Sequence, residues 1–142
     1  DSGKSEGASL FCGGERVARE TEGNFLTPAL FIDTHNNMRI NQEEIFGPIA
    51  SVIKVKNYDE ALNIANDTEF GLSAGIVTNS LKHATHFKRH SQSGIAQVNL
   101  PTAGVDYHVP FGGTKSSSYG AREQGQYAKE FYTTVKTSYT AS

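Results

Sequence analysis

The chain has 142 residues, 37% apolar and 20% charged. That is enough apolar side chain for an ordinary hydrophobic core, and too little charge for a disordered polyelectrolyte. Its net charge of −2, with acids and bases interspersed, leaves no basic footprint for nucleic acid or an anionic membrane. No apolar run approaches the ~20 residues of a membrane span, no signal-peptide core opens the chain, and the single cysteine can form no internal disulfide; together these fit a cytoplasmic location.

In chain order, Ser9–Gly13 reads as a short strand and Glu15–Gly23 as a charged loop. Phe25–Asp33, rich in aromatic and β-branched residues, reads as a second strand that tolerates Pro28 only near an edge or bulge. Ile49–Val55 alternates apolar and polar side chains, as a strand does. Asn57 with Glu60 three residues on is a variant capping box, and Ala61, Leu62, Ile64 and Ala65 form the buried stripe of the helix it starts. Leu72–Val77 is a strand, Ser80 caps a helix through His90, and Gly94–Asn99 is the next strand. A long loop follows from Leu100 to Gly120, then a helix over Arg122–Phe131 and a β-branched strand over Thr133–Thr140. The strand–helix–strand–helix–strand order from Ile49 to Asn99 predicts a parallel α/β sheet. The final strand would present an unpaired edge, able to pair within its own sheet or with another chain.

One run carries particular chemistry: Asn41-Gln42-Glu43-Glu44-Ile45-Phe46-Gly47-Pro48. Pro48 disfavours helical geometry at Gly47, so an acidic turn must end there and an extended segment begin. A carboxylate accepts hydrogen bonds from sugar hydroxyls and an aromatic face packs on a flat ring, a pairing suited to a ribose joined to a planar base. On these residues alone, solvated helix-end acids beside a core phenylalanine are the more ordinary reading.

Further motifs narrow the choice. Glu43–Pro48 is similar to the E-E-x-F-G-P motif of the aldehyde dehydrogenase superfamily. Phe70-Gly71-Leu72-Ser73-Ala74-Gly75, Val98-Asn99, Pro110-Phe111-Gly112-Gly113-Thr114-Lys115, Arg122-Glu123-Gln124-Gly125 and Tyr132-Thr133-Thr134-Val135-Lys136-Thr137 follow in that family's order and approximate spacing. The resemblance runs from about Leu10 to the C-terminus. Within it, Asn99–Val109 and Lys115–Gly120 resemble the α-ketoglutarate semialdehyde (2,5-dioxovalerate) dehydrogenases.

The resemblance implies an α/β fold: the C-terminal part of an aldehyde dehydrogenase catalytic domain over residues 1–131, a mostly parallel sheet with flanking helices. Residues 132–142 would be an oligomerisation strand and tail, giving a homo-oligomer, dimer or tetramer. Aldehyde dehydrogenases are several times longer than this chain, which is therefore expected to be a fragment. The implied reaction is oxidation of an aldehyde to a carboxylate with NAD or NADP: a cysteine thiolate adds, hydride leaves to the nicotinamide, and water cleaves the thioester. The family's cysteine and water-activating glutamate come from upstream segments, so no catalytic residue is assigned here and the isolated chain is expected to be inactive. For cofactor binding, the resemblance assigns Glu44 to the nicotinamide-ribose hydroxyls and Phe46 to packing beside the nicotinamide, with Glu43 structural and Gly47-Pro48 fixing the turn. For substrate binding it assigns Thr102, Ala103, Gly104 and Val105 to the aldehyde entrance and Phe111 to the substrate chamber, with Tyr107 and His108 adding polar contacts. Arg122 would brace the cofactor region.

Two tempting substitutes are set aside. Cys12, in Leu10-Phe11-Cys12-Gly13-Gly14, lacks a nearby cation to lower its pKa and reads as a buried structural cysteine. His83, His86 and His90 form one stripe on a predicted helix, but Lys82, Lys88 and Arg89 crowd them, so a surface stripe is expected and no metal is assigned. A metal-binding protein using that stripe, or a non-catalytic oligomerisation module using the last strand, are the competing functions.

Overall fold

The computed structural model describes residues 1–142 and divides into two compact units, Asp1–Asp67 and Thr68–Ser142. No helix is long and apolar enough to cross a membrane.

The first unit opens with a helical turn, α1 (Ser2–Ser5), which the polar sequence there did not announce. A three-stranded sheet follows in the order β1 (Ser9–Cys12), β2 (Ala29–Ile32), β3 (Ile49–Ser51), with β2 antiparallel to β1 and parallel to β3. Pro28 stands one residue before β2, so its missing N–H removes no ladder bond and β2 can occupy the centre of the sheet. Alternation along β2 sends Ala29 and Phe31 inward against Ala8 and Met38, with Leu10 and Ile40 packed alongside. Burial of the Phe31 ring alone is worth about 2 kcal/mol. The unit ends in α3 (Tyr58–Asn66), whose cap is the expected one: Asn57 Oδ1 accepts the Glu60 N–H at 2.9 Å. The Glu60 carboxylate reaches back to accept the Lys56 N–H at 2.7 Å, closing the box one residue earlier than the standard pattern.

In the second unit β4 (Ser73–Ile76) pairs in parallel with β5 (Ile95–Val98). The connection between them is α4 (Leu81–His90), started by Ser80 Oγ accepting the His83 N–H at 3.2 Å and packed through Ala84 and Phe87. A 3-10 turn at Lys115–Ser117 interrupts the long loop, and α5 (Ala128–Tyr132) closes the regular structure.

Four expectations need correction. The single parallel sheet from Ile49 to Asn99 is instead two sheets: β3 pairs with β2, and β4 only with β5. The helix expected from Arg122 begins later, because Gln124 (φ 68°) and Gly125 (φ 55°) are left-handed; a 3-10 turn at Gly125–Tyr127 precedes α5. Residues 133–142 carry no regular element and are exposed, since β-branched composition alone makes no strand without a partner ladder. Cys12 is exposed: it lies at a register shift on the outer strand β1, where no second layer covers it.

No large side chain is completely buried. Apolar residues stand well out of the surface in both units, Phe46 at 92% and Val77 at 90% exposure among them.

Candidate functional site

In the first unit, the corner at Glu43–Pro48 leaves a short helix, α2 (Arg39–Gln42), that is fastened on several sides. The Glu6 carboxylate accepts the Arg39 N–H at 3.0 Å, Asn41 Nδ2 donates to His35 O at 2.8 Å, and Gln42 Nε2 donates to Asn36 O at 2.7 Å. Ser51 Oγ donates to Asn41 Oδ1, which ties α2 to β3 beyond the corner. Residues on both sides of the corner are thus pinned, while 43–50 are exposed.

The two acids then diverge. The helix ends at Gln42 and Glu43 is already extended (φ −103°, ψ 149°), so the acids lie on the exit segment and not on a helical turn. Glu43 Oε2 pairs with Arg39 Nε at 2.7 Å, an exposed i,i+4 contact. Glu44 is exposed and takes no part in that ion pair, leaving its carboxylate available as an acceptor. Backbone strain falls on an unexpected residue. Phe46 has φ 54°, a left-handed conformation that disfavours any side chain with a Cβ. Gly47 has an ordinary φ and open space around a notional Cβ, so the corner is made by Phe46 rather than by the glycine.

In the second unit, Thr102, Ala103, Gly104, Val105 and Phe111 are brought together around one cavity of about 280 Å³. Leu72, Ser73 and Ile95 complete its floor from β4, β5 and the residue before β4, and Gln124 stands at one side. Tyr107 and His108 are not part of this lining; Tyr107 is largely exposed and meets His108 edge-on at 5.5 Å. The wall is built on close backbone approach. Ser73 Oγ donates to Thr102 O at 3.1 Å, and the Thr102 methyl packs over Gly75, where a Cβ would come within 2.8 Å of Thr102 Cγ2.

The Phe111 segment is fixed by a two-way bridge, Phe111 N–H to Glu123 O at 2.7 Å and Glu123 N–H to Phe111 O at 2.8 Å. Arg122 Nη1 donates to Gly113 O, Ser118 Oγ accepts the Gly113 N–H at 2.7 Å, and Ser117 Oγ accepts the Gly71 N–H at 2.9 Å. Arg122 therefore braces the Gly112-Gly113 backbone, and two serines of the Lys115–Gly120 run anchor the same strip. The sequence left these serine roles and the cavity positions of Ser73 and Gln124 unread; Gln124 stood inside a predicted helix, where nothing marked it.

The histidine stripe lies on α4. His86 and His90 stack with ring centroids 3.8 Å apart, and His90 Nδ1 contacts His86 O at 2.8 Å. No group of three or more His, Cys, Asp or Glu side chains is positioned to share a metal ion.

Residues 1–138 match the sequence profile of the aldehyde dehydrogenase family. The chain is 48% identical over 143 aligned residues to an α-ketoglutarate semialdehyde dehydrogenase of Haloferax volcanii, covering 98% of this chain and 30% of that protein. It is 46% identical over 139 residues to the α-ketoglutaric semialdehyde dehydrogenase of Bacillus subtilis, covering 96% of this chain and 28% of that one. Among solved structures, an indole-3-acetaldehyde dehydrogenase in complex with NAD+ superposes with a TM-score of 0.88 at 41% identity, over 95% of this chain and 27% of its own. The chain thus spans under a third of the length of the relatives it matches.

Proposed function

The chain belongs to the aldehyde dehydrogenase family, and from that footing we propose that it is the C-terminal part of an NAD(P)-dependent dehydrogenase that oxidises an aldehyde, of the α-ketoglutarate semialdehyde type, to a carboxylate. The single observation that carries the reading is the split between neighbouring acids. Glu43 is held by Arg39, whereas Glu44 is exposed and outside that pair, two residues before a strained, outward-standing Phe46. Residues held in sparsely populated backbone regions gather at ligand sites, where the surroundings over-determine them.

The residues fit a nicotinamide dinucleotide. Glu44 would accept hydrogen bonds from the nicotinamide ribose hydroxyls, and the Phe46 ring would cover the nicotinamide side. When bound, the cofactor accepts the hydride lost by the aldehyde carbon; a relative's NAD+ complex favours NAD over NADP. In the second unit, Thr102–Val105 and Phe111 would confine the aldehyde by shape, through small residues at the mouth and one aromatic wall. The nucleophilic cysteine and the base that activates water would come from polypeptide outside this chain. Exposed Cys12 is not offered as either: it sits at the irregular end of the outer strand β1, outside the Gly-Gln-x-Cys setting of the family nucleophile. A cytoplasmic setting would keep that exposed thiol reduced.

Residues 133–142, exposed and without an internal partner ladder, would pair with a second copy as an added strand. The exposed apolar surface in both units is what a part of a larger domain presents before its neighbours cover it.

The test is turnover. The complete polypeptide carrying this chain should form NADH when given α-ketoglutarate semialdehyde, and the isolated 142 residues should form none. Absence of aldehyde-dependent NADH from the complete, folded protein would refute the reading.

A further inference from the structure

The cavity of the second unit contains an amide that nothing in the chain satisfies. Gln124 lines the cavity, and its Oε1 is buried without a hydrogen-bond partner. Buried amide oxygens are nearly always paired, because leaving one dry forfeits its hydration with no return. Gln124 also holds φ 68° with ψ 163°, an extended positive-φ backbone that is almost exclusively glycine's. The neighbouring structure imposes it: Glu123 is locked to Phe111 on one side, and Gly125 N–H donates to Tyr107 O at 3.3 Å on the other. A strained backbone therefore delivers an unpaired amide to the wall of a cavity.

The rest of the lining defines what that amide can meet. Ser73 has its hydroxyl committed to Thr102 O, Leu72, Ile95, Val105 and Phe111 are apolar, and no lysine or arginine is present. Gln124 is thus the one uncommitted amide on a largely apolar wall. Oε1 is the buried atom of that amide, which leaves Nε2 as the atom able to face the cavity and donate.

We propose that Gln124 is a specificity-determining residue whose side-chain amide donates to the oxygens of an aldehyde's polar tail, selecting α-keto acid semialdehydes over alkyl aldehydes. This rests on the dehydrogenase reading above and supplies what that reading lacked, a recognition group for the tail in a cavity without a cation. A neutral amide donor suits this role because a buried site that offers a polar partner discriminates strongly against analogues unable to use it.

The experiment uses the complete polypeptide in wild-type form and as Gln124→Leu, Gln124→Glu and Gln124→Asn. Leucine keeps the bulk without the amide. Glutamate replaces the donors with a like charge. Asparagine keeps the amide but falls short in reach, and thermal melting of each variant separates a lost contact from a lost fold. For α-ketoglutarate semialdehyde, Gln124→Leu and Gln124→Asn should raise KM about tenfold with little change in kcat, and Gln124→Glu should raise it further; KM for pentanal should stay within twofold in all variants. A uniform loss across both aldehydes, or no change in their ratio, would overturn the inference. Binding of 2-oxoglutarate, the unreactive oxidation product, gives a second reading by calorimetry that needs no turnover. Affinity that falls about tenfold in Gln124→Leu supports the inference even if the wild-type protein oxidises no aldehyde, an outcome that would instead strike at the dehydrogenase reading; affinity equal in the two proteins overturns it.

Discussion

Gly94→Ala probes the packing that holds Phe111 at the cavity. A Cβ built at residue 94 lies 2.0 Å from Gly112 O and 2.8 Å from Gly113 Cα. Ordinary contacts between such atoms begin near about 3.5 Å, so one backbone segment must retreat by more than about 1 Å. The obstacle is main chain and cannot rotate aside. It is further tied by Arg122 to Gly113 O, Ser118 to Gly113 N–H and Thr114 N–H to Gly71 O. Overpacking of this kind costs about 3 kcal/mol, at the upper end of its usual range, which corresponds to more than a hundredfold in local opening. Hydrogen exchange read by mass spectrometry on the complete polypeptide would report it. Peptides covering 92–99 and 111–118 should exchange about a hundredfold faster in Gly94→Ala, with 57–66 unaffected. Gly47→Ala serves as the control: it meets nothing within 4 Å and its φ suits alanine, so protection should be unchanged. Equal protection of 111–118 in wild type and Gly94→Ala would refute the argument that close backbone approach builds the cavity wall.

Two other outcomes follow from the first unit. Asn57→Ala removes the acceptor for the Glu60 N–H and should cost about 1 kcal/mol, seen as faster exchange confined to α3. Phe46→Gly removes a ring that is almost wholly exposed and relieves a left-handed φ, so stability should stay within about 1 kcal/mol of wild type or rise. The same change should weaken NAD+ binding, a separation of stability from function that calorimetry and thermal melting on one sample would reveal.

Local chemistry was the legible part of this sequence. Asn57 and Ser80 start α3 and α4 where expected, because a cap depends on a side chain and an N–H three residues away. The pairing of β4 with β5 across α4 follows from the same kind of short-range order. What failed depended on distant partners. β3 joins β2 and not β4, a choice set by packing that alternation along Ile49–Val55 cannot encode. The β-branched run after Thr133 has no ladder to complete, and Cys12 stays exposed because burial is decided by what lies across from it. The positions named for the substrate site do meet at one cavity, yet Gln124 was invisible there, since an orphaned amide and a positive φ are properties of a folded backbone.

At the Glu43–Pro48 corner, the family resemblance assigns the ribose to Glu44, and the proposal rests on Glu43 being paired with Arg39 while Glu44 is outside that pair. The most direct measurement is the NAD+ dissociation constant of the complete polypeptide bearing Glu44→Gln or Glu43→Gln. A charged acceptor on sugar hydroxyls is worth roughly 1.5–3 kcal/mol, so Glu44→Gln should weaken binding about tenfold or more. Glu43 serves an exposed pair worth about 0.5 kcal/mol, and its substitution should leave NAD+ affinity within about twofold. Undiminished affinity in Glu44→Gln, or the larger loss in Glu43→Gln, would contradict the assignment of this corner to the dinucleotide.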